Sequence, residues 1–180
     1  MLLFIILALH LFIPVSAQEE VLTKPSFQHL LTSKHIFLDT FELEDRSRWV
    51  IAPPDVYKTV NWELKDVVVL TPHSSFFSIY KFQFSLTNLT KNSYVRVNFD
   101  YHPCDYKKAC RWVISLDKFG LSLFLNDGSS WKIHPDDATH FKEWDLNDFI
   151  VYGKNDQLYT KHPFILINTR LNHYVRAIEF

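Results

Sequence analysis

Glycine is scarce in this chain: three in 180 residues, beside eight prolines, two cysteines and one methionine. With so little glycine, Asn, Asp and Pro must carry most of the turns. The Gly-x-Ser-x-Gly elbow of serine hydrolases is absent, and pairing Cys104 with Cys110 would leave no thiol for nucleophilic catalysis. In a secreted chain two cysteines six positions apart imply one disulfide, stabilising by roughly 2 kcal/mol because the loop it closes is short. A redox pair is the alternative, although such motifs usually place two residues between the cysteines. Charge of one sign is lacking too. With 19 basic and 20 acidic residues, a net charge of -1 and no basic cluster longer than Lys107-Lys108, there is no electrostatic footprint for nucleic acid or anionic lipid. The only long apolar run is Leu2 to Ile13, broken by His10; followed by Pro14 and Val15-Ser16-Ala17, it reads as a signal peptide over residues 1–17, with an uncleaved signal anchor as the alternative because the run has no Lys or Arg before it. No later run is long enough to span a bilayer. That leaves residues 18–180 as a single secreted domain, in which no internal repeat or low-complexity tract stands out.

What the chain does have is apolar and aromatic surface, 47% and 16% of its residues, enough to offset the entropy of ordering. It is arranged with period two. Between Tyr94 and Tyr101, Val95, Val97, Phe99 and Tyr101 face one way and Tyr94, Arg96, Asn98 and Asp100 the other. Phe76 to Leu86 alternates likewise, and Trp112, Ile114 and Leu116 alternate with Val113, Ser115 and Asp117. Asn126-Asp127-Gly128 is the strongest hairpin signal. Asn61 to Leu70 reads as a strand with a turn or bulge near Asp66, and His134 to Asn147 as a polar loop or short helix. Short strands at Asp148 to Tyr152, Phe164 to Ile167 and Tyr174 to Phe180, with a turn at Asn172, complete an all-β fold of nine or ten strands with few or no helices.

The segments FLDTFELEDRSRWVI, NWELKDVVVL, SSFFSIYKFQFSL and YVRVNFDY, followed by Cys110-Arg111-Trp112-Val113, resemble the opening half of concanavalin A-like lectin/glucanase jelly rolls. Within that superfamily the order is similar to the lectin domain of the calreticulin and calnexin group. The resemblance implies an antiparallel jelly-roll β-sandwich and a glycan or glycoprotein ligand; that the chain is no enzyme is expected from the catalytic motifs it lacks. The group's two glycines after the cysteine, and its sugar-binding tyrosine and lysine, are replaced here by Arg111, Trp112 and Ile114. The Glu-x-Asp-x-x-Glu strand of the glucanases is missing, and Glu42, Glu44 and Asp45 lack its spacing. FELEDRSRWVIA is also similar to the first strand of lipocalins, which hold a small apolar ligand, but has Ser47 where that family has glycine. An adhesion module binding protein through one sheet face needs no special residue.

The expected site is the polar face of the central strand, Arg96, Asn98 and Asp100, with Trp112 and Trp131 as stacking residues, because a ring covers the apolar face of a sugar while carboxylates and amides bond its hydroxyls. The competing reading makes both tryptophans core and the polar face merely solvated. Asn88-Leu89-Thr90 is an N-glycosylation sequon. No cofactor is expected, though Asp39, Glu42, Glu44 and Asp45 have the chemistry for a structural calcium. His134 and His140 would suit a metal, but a surface turn explains them as well.

Overall fold

The structure, a computed structural model, describes residues 26–35, 37–73, 82–101 and 110–180. Backbone pairing follows the alternation of apolar side chains. In the first half β1 (Gln28–His35), β2 (Thr40–Leu43), β3 (Arg48–Ile51), β4 (Val67–Pro72), β5 (Phe84–Asn88) and β6 (Ser93–Tyr101) close into a barrel in the order β1-β2-β3-β6-β5-β4, every pair antiparallel. A 3-10 helix, Pro53–Thr59, links β3 to β4; its paired prolines fit a helix start, where no N–H bond is forgone. Inside lie Leu31, Phe41, Trp49, Phe84, Leu86, Val95 and Val97, all fully buried. The second half repeats the plan. Strands β7 (Arg111–Asp117), β8 (Ser122–Leu125), β9 (Ser130–Ile133), β10 (Phe149–Lys154), β11 (Phe164–Asn168) and β12 (His173–Glu179) close in the order β7-β8-β9-β12-β11-β10. A 3-10 turn (Pro135–Asp137) and a one-turn helix α1 (Ala138–Phe141) occupy the place of the first helix.

The two barrels are one design used twice, which corrects the expectation of no internal repeat. Trp49 and Trp131 are 82 positions apart, and so are Leu31 and Val113, Asp55 and Asp137, Trp62 and Trp144, Asp66 and Asp148. From β5 onward the offset is 80, as from Asn88 to Asn168 and Arg96 to Arg176. The pairing register repeats with it: Phe41 faces Trp49 as Leu123 faces Trp131, and Phe84 faces Val97 as Phe164 faces Ala177. Even the bulges coincide, between Leu31 and Ser33 and between Val113 and Ser115. That second bulge overturns the expected parity of β7: Val113 is fully buried, whereas Ile114 is 54% exposed.

The sequence reading expected two sheets of one jelly-roll sandwich; instead the strands pair into two closed barrels, and closure removes the edges that a sandwich must protect. The strand expected from Asn61 begins only at Val67, because Asp66 anchors a turn: its Oδ2 accepts from the Glu63 amide at 2.9 Å and from Asn88 Nδ2 at 2.7 Å. The barrels pack along β4 and β10. Val151, Ile165 and Ile167 from the second join the buried cluster of the first, and Phe84 meets Tyr174 edge-on at 5.9 Å. Gly153 sits at the closest approach, where a Cβ would lie 2.9 Å from the Leu70 carbonyl.

Candidate functional site

Most buried polar side chains form a framework that both barrels share. In each, an Asp-x-Ser-x-Trp turn builds a relay: Ser47 Oγ donates to Asp45 Oδ1 (2.6 Å) and accepts from Trp49 Nε1 (2.8 Å); Ser129 does the same for Asp127 (2.6 Å) and Trp131 (2.7 Å). Asp55 accepts from the Arg96 amide and from Nε (3.0 and 2.7 Å), and Asp137 from the same two groups of Arg176 (2.7 and 2.9 Å). Burial pushes both carboxyls up, but the bonds from arginine outweigh it and hold them below the usual range. Asn88 Nδ2 donates to Asp66 as Asn168 Nδ2 donates to Asp148, each at 2.7 Å.

Three expected site residues belong to this framework. Arg96 is committed to Asp55. Trp131 is fully buried with its N–H bonded, and its ring meets core neighbours, Tyr152 tilted and Phe164 edge-on. Asn88 is also fully buried, its amide on Asp66 and its carbonyl accepting from the Lys91 amide, which leaves no room beside it for a glycan in this fold. Asn98 accepts from the Gln83 amide at 2.8 Å, and Trp112 is half-buried on β7, opposite Phe149 of β10.

Asp100 has a different setting. The exposed end of β6 opens on a cleft of about 330 Å³ between the barrels, lined by Phe99, Asp100 and Tyr101 from one and by Asn147, Asp148, Phe149, Thr169 and Arg170 from the other. Asp100 Oδ2 accepts from Arg48 Nε at 2.6 Å, and the Arg48 guanidinium lies over the half-exposed Tyr101 ring at 5.4 Å. Across the cleft Arg170 holds Asp148 through Nε (2.5 Å) and an Nη2 bond (2.9 Å), and reaches Asp145 at 3.1 Å. Burial raises the Asp148 carboxyl, but Arg170, the Asp145 amide and Asn168 together lower it further. The lining thus combines aromatic rings with carboxylate, amide and guanidinium groups. No family model, curated protein or solved structure matches the chain.

The cleft residues that the sequence reading missed, Phe149, Arg170 and Asn147, are where the repeat breaks: their counterparts are Val67, Thr90 and Lys65. Comparing the halves with each other was the signal that could have found them. The acidic group considered for calcium does not converge, since Glu44 bonds His29 and the Leu30 amide while Asp45 serves Ser47. His134 and His140 pair with different rings, those of His162 (4.7 Å) and His173 (5.0 Å), and the described residues hold no group of three metal-ligating side chains. Cys110 is buried, and Cys104 lies outside the described residues, as do the signal peptide and residues 74–81.

Proposed function

We propose that the protein is a secreted, non-enzymatic binding module, with a Cys104–Cys110 disulfide, that holds a carbohydrate or glycoprotein glycan in the cleft between its barrels. The observation that carries this reading is the meeting of three aromatic rings, Phe99, Tyr101 and Phe149, with Asp100, Asn147 and Arg170 in one open concavity. A pyranose needs that combination, an apolar surface for its C–H face and fixed acceptors and donors for its hydroxyls. The role of Asp100 is kept from the sequence; Trp131 gives way to Phe149. A concanavalin A-like jelly roll is not needed, because the aromatic lining comes from the ends of strands and not from a sheet face.

Binding without hydrolysis fits the charges. Glycoside hydrolysis requires one carboxyl held neutral to protonate the leaving oxygen. Asp148, the second carboxyl of the cleft, is instead held ionised by Arg170 and Asn168. A glycan-array screen of residues 18–180, with and without calcium, tests the reading. Selective binding is expected, lost in Asp100→Ala and Phe149→Ala. The Asp100 variant should keep its melting temperature, because an exposed ion pair such as Arg48–Asp100 contributes only about 0–1 kcal/mol. An array without selective binding, or binding that survives both substitutions, overturns it.

A further inference from the structure

A second cavity, of about 280 Å³, opens at the end of the first barrel, walled by Ile51, Val56 and Val60 and by Thr40 and Thr59, with Lys34, His35 and Asp39 at its sides. The second barrel is a control built into the same chain. Thr59 corresponds to Phe141, which is fully buried, and Lys34 to Leu116, Asp39 to Leu121. All three of those side chains pack in the core cluster of the second barrel. The same framework therefore ends in a phenyl plug in one barrel and in an open, apolar hole in the other. Thr40, on the cavity wall and 4% exposed, has a hydroxyl with no hydrogen-bond partner, and a buried polar group left so is costly.

We infer that this cavity is a binding site for a small aromatic acid, whose ring takes the place that Phe141 fills in the second barrel and whose carboxylate meets the Lys34 ammonium. Size agrees: at the packing density of protein interiors, roughly three-quarters, a hole of about 280 Å³ takes on the order of ten non-hydrogen atoms. So does charge. Lys34 donates to the Thr59 carbonyl at 2.5 Å, which fixes its ammonium on the cavity wall and leaves two further N–H donors for a ligand. The site is separate from the inter-barrel cleft and does not depend on what binds there.

The probe is 3-phenylpropanoate, titrated into the full secreted chain and followed by amide chemical shifts. Saturable shifts are expected around Thr40, Val56 and Thr59, with a dissociation constant on the order of a millimolar or below. Thr59→Phe, which copies the second barrel, should weaken binding more than tenfold while leaving the protein folded. Lys34→Met should cost the acid about tenfold, without weakening the neutral analogue 3-phenylpropanol. Should Thr59→Phe fail to fold, Val56→Phe fills the cavity from the same wall, one 3-10 turn earlier. Absence of saturable shifts, shifts centred elsewhere, or full binding by a folded plugged variant would each overturn the assignment.

Discussion

At the scale of single residues, the two serines of the Asp-x-Ser-x-Trp turns carry more than their size suggests. Ser47 is fully buried and Ser129 nearly so, and each satisfies an indole N–H that no water reaches. Ser129 also lies 2.9 Å from the Tyr152 hydroxyl, which itself donates to Asp127 Oδ2 at 3.0 Å. Burial pushes that phenol well up, so it stays a donor across the working range. Replacing either serine by alanine leaves an indole N–H unpaired, at a cost of about 1–3 kcal/mol. The two variants should cost alike, because Tyr152 keeps its own bond to Asp127 when Ser129 is truncated. Denaturant titration checks this: the midpoint should fall with little change in slope. A Ser129→Ala midpoint equal to that of the parent would mean that the relay contributes nothing.

At the scale of elements, the turns show how much the sequence disclosed. Asn126-Asp127-Gly128 declared the β8–β9 hairpin, and Gly128 indeed takes a positive φ of 84°. The β2–β3 hairpin has the same shape, with Arg46 at φ 68° and the Ser47 amide on Asp45 Oδ1 at 2.9 Å, but Glu44-Asp45-Arg46 carries no glycine to announce it. Lys65 with Asn147, Asp39 with Leu121 and Asn92 with Asn172 are further matched pairs at positive φ. Asparagine made the turn at Asn172 legible; lysine and leucine gave no such signal, since an L side chain there is tolerated only under the pull of the surrounding ladder. Arg46→Gly should therefore stabilise the protein by about 1 kcal/mol, borrowing the solution of the second barrel. Gly128→Ala should cost about as much for backbone reasons alone, because a Cβ there meets nothing within 4 Å. A pair of thermal melts decides it, and equal melting temperatures for Arg46→Gly and parent would show that the turn is unstrained.

At the scale of the molecule, period-two alternation established that β-strands form and which faces are buried, but not which strands pair. Alternation is the same in a sandwich and in a barrel, and only the register and the closing pairs β1–β4 and β7–β10 separate them. Repetition of the plan was hidden because the shared letters are few and far apart, kept where a buried hydrogen bond needs that side chain and free elsewhere within the apolar class. One residue that breaks the repeat ties the barrels together: His29, whose counterpart is Arg111. Only 2% exposed, it has Nδ1 at 2.9 Å from Glu44 Oε1 and Nε2 at 2.7 Å from the Tyr152 carbonyl in the other barrel. Both partners are acceptors, and a neutral imidazole has a single N–H, so satisfying both takes the imidazolium. Burial works to lower its pKa, but the Glu44 bond, the charges of Asp45 and Glu44, and the Tyr152 carbonyl outweigh it and leave it raised. A raised value means that the stabilisation is complete below the unfolded pKa, about 6.5, and is lost as pH climbs through the folded one. His162 and His173 act oppositely. Burial first, then the charges of His134 and His140, lower them, so their contribution is complete above about pH 6.5 and lost below it. Above that pH the histidine-dependent slope belongs to His29 alone among these three. The melting temperature should fall as pH rises above about 6.5 in the parent, and His29→Gln, which supplies an N–H to only one side, should start lower and lose that slope. Parallel profiles for the two proteins would show that the imidazolium does not clamp the barrels.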